Sequence, residues 1–239
     1  GDEILLFYKV GPSPSEWWGE LIISNDKGIS WSASHKLPEG IIGPVKNKPV
    51  LLKNGVLLCP SSSENDGWRV HMEMTTDNGI TWTRTQELND KKIAAIQPTV
   101  LIHHSGKLEI LCRSKQSRIL TSWSEDNGSN WTELVPSSIP NPNSGIDAVS
   151  LKDGRHLLVY NHLASGRNML NIAISNDGIN WKPAILLEND LLDTEYSYPA
   201  VIQSNDKMIH ITYTWNRKLI KHVVIDPGLI ETRSFNNGA

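Results

Sequence analysis

The side chains able to do chemistry are strung along separate polar loops of this 239-residue chain rather than gathered in one motif. Arg69, Arg113, Arg118, Arg167 and Arg217 supply guanidinium forks, and Lys46 and Lys48 supply point charges. Gln97 offers an amide, Glu64, Asp147 and Glu195 carboxylates, His162 an imidazole and Tyr196 a phenol. Brought to one place, such a set would recognise an anionic, hydroxyl-rich ligand, because guanidinium forks grip oxyanions through paired charge-assisted bonds while amide and ammonium groups contact hydroxyls. The same residues have structural readings. Arg113 follows an apolar run and would serve in a buried salt bridge, "ASGRN" around Arg167 would form a solvated hairpin, Arg118 would end a strand in solvent, and the rings of Tyr196 and Tyr198 would pack between sheets. No spacing fits a metal. The 8 histidines are scattered, there is no HExxH or cysteine pair, and no glycine-rich phosphate loop leads a strand into a helix, so no metal or other cofactor is expected.

What must position these loops is a repeat. "SNDKGISW" at 24–31, "TTDNGITW" at 75–82, "SEDNGSNW" at 124–131 and the shorter "SNDGINW" at 175–181 recur with a period of about fifty residues. In each, the Asp carboxylate can accept backbone N–H bonds, the Gly tolerates positive φ and the Trp buries a large ring, so the turn reads as a hairpin staple, with calcium binding as the other use. Between the turns lie short alternating segments such as "RVHMEM", and nothing of length reads as a helix. The second unit runs "PVLLK", "NG", "VLLCP", "SSSENDG", "WRVHMEM", "TTDNGITW", "TRTQEL": four strands and their turns. Four antiparallel strands at this period predict an all-β fold, a β-propeller of four-stranded blades in which residues 1–239 form one domain. The tight turns would share one face of the disc and the chemistry-bearing loops the other. Counting units gives a partial first blade, three full ones and a last without an Asp turn. The expectation is a six-bladed ring whose N-terminal part lies outside this chain, a five-bladed ring being the competing count.

On these boxes the chain resembles the sialidase superfamily of Asp-box (BNR) repeat proteins, and within it the "predicted neuraminidase" group; the resemblance covers essentially the whole chain. "QPTVLIHHSGKLEILCRS" is similar to the stretch that ends on an active-site arginine, which implies Arg113 as one member of the family's carboxylate-binding triad. "NHLASGRNMLNIAISNDGINW" resembles the stretch bearing another, which implies Arg167, and "EYSYPAVI" resembles the segment that supplies the nucleophile, which implies Tyr196. Sialidases use a tyrosine in place of the usual carboxylate nucleophile; a carboxylate there would be repelled by the substrate's own anion. Such a tyrosine needs a base beside it. The position matching the family's glutamate is Gln97, an amide that takes no proton; Glu195 is the substitute, although neighbours on a strand face opposite ways. The family's first arginine and acid/base aspartate have no counterpart assigned in this chain.

The resemblance implies a sialidase-like glycoside hydrolase, of exo-α-sialidase type, acting on a glycoside that carries a sialic or uronic acid carboxylate. Tyr196 and Glu195 would be catalytic, and Arg113, Arg167, Gln97, Arg69, Lys46 and Arg118 would bind substrate. The alternatives are a propeller that binds acidic sugar without turnover and a lyase that abstracts a proton beside a uronate. A formal net charge of -3 gives no global attraction to nucleic acid or anionic membrane, so the expected partner is an acidic carbohydrate. Cys59 and Cys112 each sit in an apolar run and read as buried free thiols. No apolar run approaches the length of a membrane span, and residues 1–20 lack the features of a signal peptide; one lying upstream would send the protein to the periplasm or outside the cell.

Overall fold

Strict alternation of apolar and polar residues over short runs, broken by Asn-Gly, Ser-Gly and Asp-Gly turns, leaves the backbone little option but antiparallel hairpins. The computed structural model describes residues 3–190 and 194–231. It contains five antiparallel sheets of three or four strands, each the blade unit of an all-β propeller fold, and one 3-10 turn at Pro227–Leu229. The chain divides into two compact units, residues 1–98 and 99–239.

The first unit holds a three-stranded sheet of β1 (Ile4–Val10), β2 (Trp18–Ser24) and β3 (His35–Lys36), and a four-stranded sheet of β4 (Val50–Leu51), β5 (Leu57–Ser63), β6 (Arg69–Thr75) and β7 (Thr83–Arg84). Its core packs Leu21, Leu37 and Ile41 against Phe7 and Trp82. The strands expected over "PVLLK" and "TRTQEL" are only two residues long as regular ladder. Pairing continues past β7 through single bonds, Thr85 N–H to the Met72 carbonyl at 2.9 Å and Leu88 N–H to the Val70 carbonyl at 2.8 Å. Sheet three comprises β8 (Ala95–Ile102), β9 (Leu108–Ser114), β10 (Arg118–Ser124) and β11 (Val135–Pro140), the unit boundary falling inside β8. Sheet four comprises β12 (Asp147–Ser150), β13 (His156–Tyr160), β14 (Met169–Ser175) and β15 (Lys182–Asn189). Sheet five is β16 (Tyr196–Gln203), β17 (Ile209–Trp215) and β18 (Leu219–Ile225).

The Asp turns close on themselves. Asp126 accepts Asn130 N–H at 2.8 Å and its side-chain amide at 2.7 Å, and takes the Ser124 hydroxyl at 2.9 Å; the Trp131 indole donates back to the Gly128 carbonyl at 2.8 Å. Asp77 binds Thr81 and Thr75 in the same way. Hydrogen bonds from Thr81 hold the Asp77 carboxyl down at about 2. These carboxylates are engaged by their own hairpins, which is the staple role.

Between sheets of the second unit, buried polar residues make the joins. The Asp147 carboxylate, 2% exposed, accepts the Thr99 hydroxyl at 2.8 Å, Ala148 N–H at 2.9 Å and Val201 N–H at 2.8 Å, and so ties the first strands of sheets three, four and five. Towards the Asp turns runs a second chain of bonds: Ile102 N–H to Ser150 Oγ at 2.9 Å, Ser150 Oγ to His156 Nδ1 at 2.9 Å, His156 Nε2 to His103 Nδ1 at 3.2 Å, and His103 Nε2 to the buried Glu109 at 3.1 Å. Burial, aided by His103, pulls the His156 imidazole down to about 4. Its folded value thus lies below the unfolded one, the unfolded chain binds the extra proton, and the stabilisation is whole above pH 6.5 and lost as pH falls towards 4. Glu109, pushed up by burial, has the opposite slope just above 4.5, so the His156 part is read as a difference. In urea unfolding at pH 7 and pH 4.5, wild type should lose up to about 3 kcal/mol more than His156→Gln does.

Candidate functional site

The loop between β11 and β12 is shaped by its own side chains before it touches anything charged. Asn141 Oδ1 accepts the N–H of Ser144, three residues on, at 2.9 Å, and the Ser144 hydroxyl donates to Asn161 Oδ1. This places Asn143 in the left-handed region, φ 59°, which asparagine tolerates better than most residues. Two arginines from different hairpins of the second unit meet there. Arg113, near the end of β9, donates from Nε to Asn143 Oδ1 at 2.9 Å, and Arg167, just before β14, donates from Nη2 to the Asn143 carbonyl at 3.2 Å.

Arg167 also reaches Glu195. Its Nη1 lies 3.0 Å from Oε1, Arg217 Nε lies 2.7 Å from Oε2, and the Ser197 hydroxyl donates to Oε1 at 2.8 Å. Backbone holds the carboxylate in place: Glu195 N–H donates to Asn216 Oδ1 and Asn216 N–H to the Glu195 carbonyl, both at 2.7 Å. Asn216 and Arg217, φ 51° and 52°, are the central pair of the tight β17–β18 turn, a conformation that matches the twist of the flanking strands. Burial pushes the Glu195 carboxyl up, but hydrogen bonds from Ser197, Arg217 and Arg167 outweigh it and hold the group below the ordinary carboxylate range. The place therefore already holds one carboxylate between two guanidiniums.

Tyr196 points the other way. Its ring is fully buried in a core with Leu170, Ile172 and Tyr213, its N–H donates to the Arg167 carbonyl at 2.8 Å, and its hydroxyl donates to Asp190. Burial and the Asp190 carboxylate push the phenol up to about 12. The structure thus brings Arg113 and Arg167 together at Asn143 and joins Glu195 to them through Arg167, and it directs Glu195 and Tyr196 to opposite sides of the chain. Tyr198 is 47% exposed. Arg118 is tied to its own sheet, Nη1 donating to the Ser138 carbonyl at 3.0 Å.

Gln97, Lys46 and Arg69 lie in the first unit. Gln97 has φ 56°, its N–H donates to Ser62 Oγ at 3.1 Å, and its carbonyl accepts the Asn47 amide at 2.9 Å. Lys46 Nζ donates to Asn47 Oδ1 at 2.9 Å. Arg69 opens β6 above a separate cleft. Sequence reasoning passed over Asn143 and Asp190; the only signal was Asn143 ahead of a Ser-Gly pair, a composition that marks a turn and says nothing of two arginines. Among the described residues no group of three or more His, Cys, Asp or Glu could hold a metal ion.

Residues 1–211 match the model of a family described as BNR repeat-like domain. No curated protein matches the chain in sequence. Among solved structures it is similar to the NanB sialidase from Streptococcus pneumoniae, in its K499G mutant (15% identity, TM-score 0.71, 90% of this chain and 37% of that one). It is similar also to the intramolecular trans-sialidase from Ruminococcus gnavus in complex with oseltamivir carboxylate (19%, 0.71, 91% and 52%). A third is a protein of unknown function from Dyadobacter fermentans (19%, 0.72, 95% and 67%). The chain spans 37% and 52% of the two enzymes, and at these identities the likeness establishes the fold.

Asn143 should reveal its part by substitution. Asn143→Gly keeps the left-handed backbone and deletes the acceptor of Arg113, so it should fold and lose about 2 kcal/mol in urea unfolding, while Asn143→Ala, which adds backbone strain, should lose more. The Arg113 Nε–H resonance should broaden in both.

Proposed function

We propose, for a chain that belongs to the BNR repeat-like domain family, that it recognises the carboxylate of an acidic carbohydrate, a sialic or uronic acid, through Arg113 and Arg167. The observation that carries this reading is the attachment of both guanidiniums to one residue, Asn143, one by its side chain and one by its carbonyl. Arginines held side by side keep their planar forks oriented before a ligand arrives, so little ordering cost remains at binding. Glu195 sets the electrostatic background. Its single carboxylate is shared by Arg167 and Arg217, so a second carboxylate entering beside it finds cationic charge that is only partly answered. Lysine at position 113 would retain charge and lose the fork.

Glycoside hydrolysis is the second reading, and what favours it is the hydrogen bond from the Tyr196 hydroxyl to Asp190, since a tyrosine nucleophile requires a carboxylate base within reach. Asp190, rather than Glu195 or Gln97, would then be the base that takes the phenolic proton. With the ring buried in the core, attack on a sugar would need the β16 start to move.

Two measurements on one set of variants separate the readings. In calorimetric titration with N-acetylneuraminate and D-glucuronate, Arg113→Lys should weaken binding of the preferred sugar more than tenfold, about 1.4 kcal/mol, in a chain that still folds although it has lost the bond to Asn143; an unaltered affinity sinks the arginine pair. With fluorogenic sialosides and uronate glycosides, turnover abolished in Tyr196→Phe but with binding retained would establish hydrolysis, and binding without turnover in wild type would establish a lectin.

A further inference from the structure

The first unit carries a cleft of about 450 Å³ that the arginine pair does not explain. Its walls come from the β5–β6 loop (Asn65, Asp66), the start of β6 (Arg69, His71), β7 (Arg84) and the residues that follow it (Glu87, Lys91). Two ion pairs edge it, Lys91 with Asp66 at 2.7 Å and Arg84 with Glu87 at 2.6 Å. These rim charges cancel in pairs. The side chains further along β6 do not: Arg69, His71 and Glu73 alternate onto one face of the strand and descend from the cleft into the interior.

Glu73 anchors the foot of that row. It accepts Ile42 N–H at 3.0 Å, Gly43 N–H at 2.6 Å and His71 Nε2 at 2.9 Å. With Nε2 committed as donor to a carboxylate, the neutral imidazole presents a lone pair at Nδ1. His71 is only 1% exposed, and Nδ1 is buried with no hydrogen-bond partner among the described residues; the same holds for Arg69 Nε, a donor. Buried polar groups are nearly always paired, and an acceptor and a donor left open two positions apart on one strand, both on residues lining a cleft, call for a ligand that supplies the converse.

We propose that this cleft is a second carbohydrate site, separate from the arginine pair of Arg113 and Arg167, which takes one sugar unit bearing both a free hydroxyl and an acidic oxygen. On binding, the groups that cover these two shielded atoms shift, so that the hydroxyl donates to His71 Nδ1 and Arg69 donates from Nε to the acidic oxygen. A neutral polyol satisfies the first contact but leaves the guanidinium without its anion, so acidic units are preferred. The cleft's size suits one or two sugar rings.

The test disables the other site first. An Arg113→Lys, Arg167→Lys double variant is titrated calorimetrically with D-glucuronate and D-glucose. One saturable event per chain is expected for glucuronate, with glucose weaker by more than tenfold and Arg69→Gln weakening glucuronate by at least tenfold. In a sample labelled at histidine with nitrogen-15, the His71 Nδ1 resonance, assigned by its loss in His71→Asn, should move on adding glucuronate, and should stay in place when Arg69→Gln is present. Lys91→Glu, at the exposed rim where folding is not at stake, should weaken glucuronate about threefold by charge alone. No saturable heat with an unmoved His71 signal overturns the proposal, as does an affinity indifferent to both Arg69→Gln and Lys91→Glu. Because both arginines of the other site are already replaced, neither outcome depends on whether that site binds sugar.

Discussion

The Asp147 carboxylate reaches three consecutive first strands of the second unit at once. Thr99 belongs to the strand that opens sheet three, Ala148 to that of sheet four and Val201 to that of sheet five, and each gives a hydrogen bond to the same buried group. A carboxylate has lone pairs for several donors, and in a dry interior each must be used, because an unmet one costs far more than a met one gains. The relative placing of three strands is therefore fixed by one side chain, and everything carried on the loops that precede those strands inherits that placing. Asn143 leads into β12, and Glu195 leads into β16. The meeting of Arg113 and Arg167 at Asn143 is downstream of this join. Asn161 reinforces it, donating to the Tyr196 carbonyl at 2.9 Å and the Met169 carbonyl at 2.7 Å.

Period-two alternation then decides what each neighbour can do. Glu195 and Ser197 share one side of the chain, where the Ser197 hydroxyl donates to the carboxylate that meets two arginines; Tyr196 between them turns inward to Leu170 and Tyr213. A carboxylate and a phenol that adjoin in sequence cannot form an acid–base pair on an extended backbone, and the tyrosine finds its carboxylate in Asp190, beyond the end of β15. The same rule builds the row Arg69, His71, Glu73 on β6, where the side chains that share a face form a polar column. One periodicity separates groups in the first case and assembles them in the second.

Much of this was legible in the residues, and the reason is local. Asp turns, two-residue turns and alternating runs are self-contained signals, so the five sheets and their hairpin staples follow from short windows of sequence, and the family follows from the boxes. The pairing of Arg113 with Arg167 required information that no window holds, namely that residues 54 positions apart approach one asparagine. Asp147 stood in the sequence as one more loop carboxylate, since nothing in "GIDAVS" says that its partners are Thr99 and Val201. The polar joins were hidden for the same reason that they matter: each links segments far apart in the chain. The short β4 and β7 were overread because propensity favours "PVLLK" and "TRTQEL" as strands, whereas regular ladder there ends after two residues.

Backbone strain marks where alternation is deliberately interrupted. Gln97 and Tyr198 both precede a proline inside a first strand, and both have φ near the left-handed region, 56° and 52°. Proline steers its predecessor towards extended backbone, and a non-glycine residue held left-handed costs about 1–3 kcal/mol. Glycine would adopt either position without that cost, yet the chain carries a glutamine and a tyrosine. At Tyr198 the ladder between β16 and β17 slips between Ser197 and Ala200, so a ring that period two would send inward beside Tyr196 is turned outward instead. At Gln97 the bent backbone is braced by Ser62 and Asn47. The same strain thus has two outcomes: at Tyr198 it turns an aromatic ring outward to 47% exposure, whereas at Gln97 it leaves the residue buried and its backbone bonded to Ser62 and Asn47.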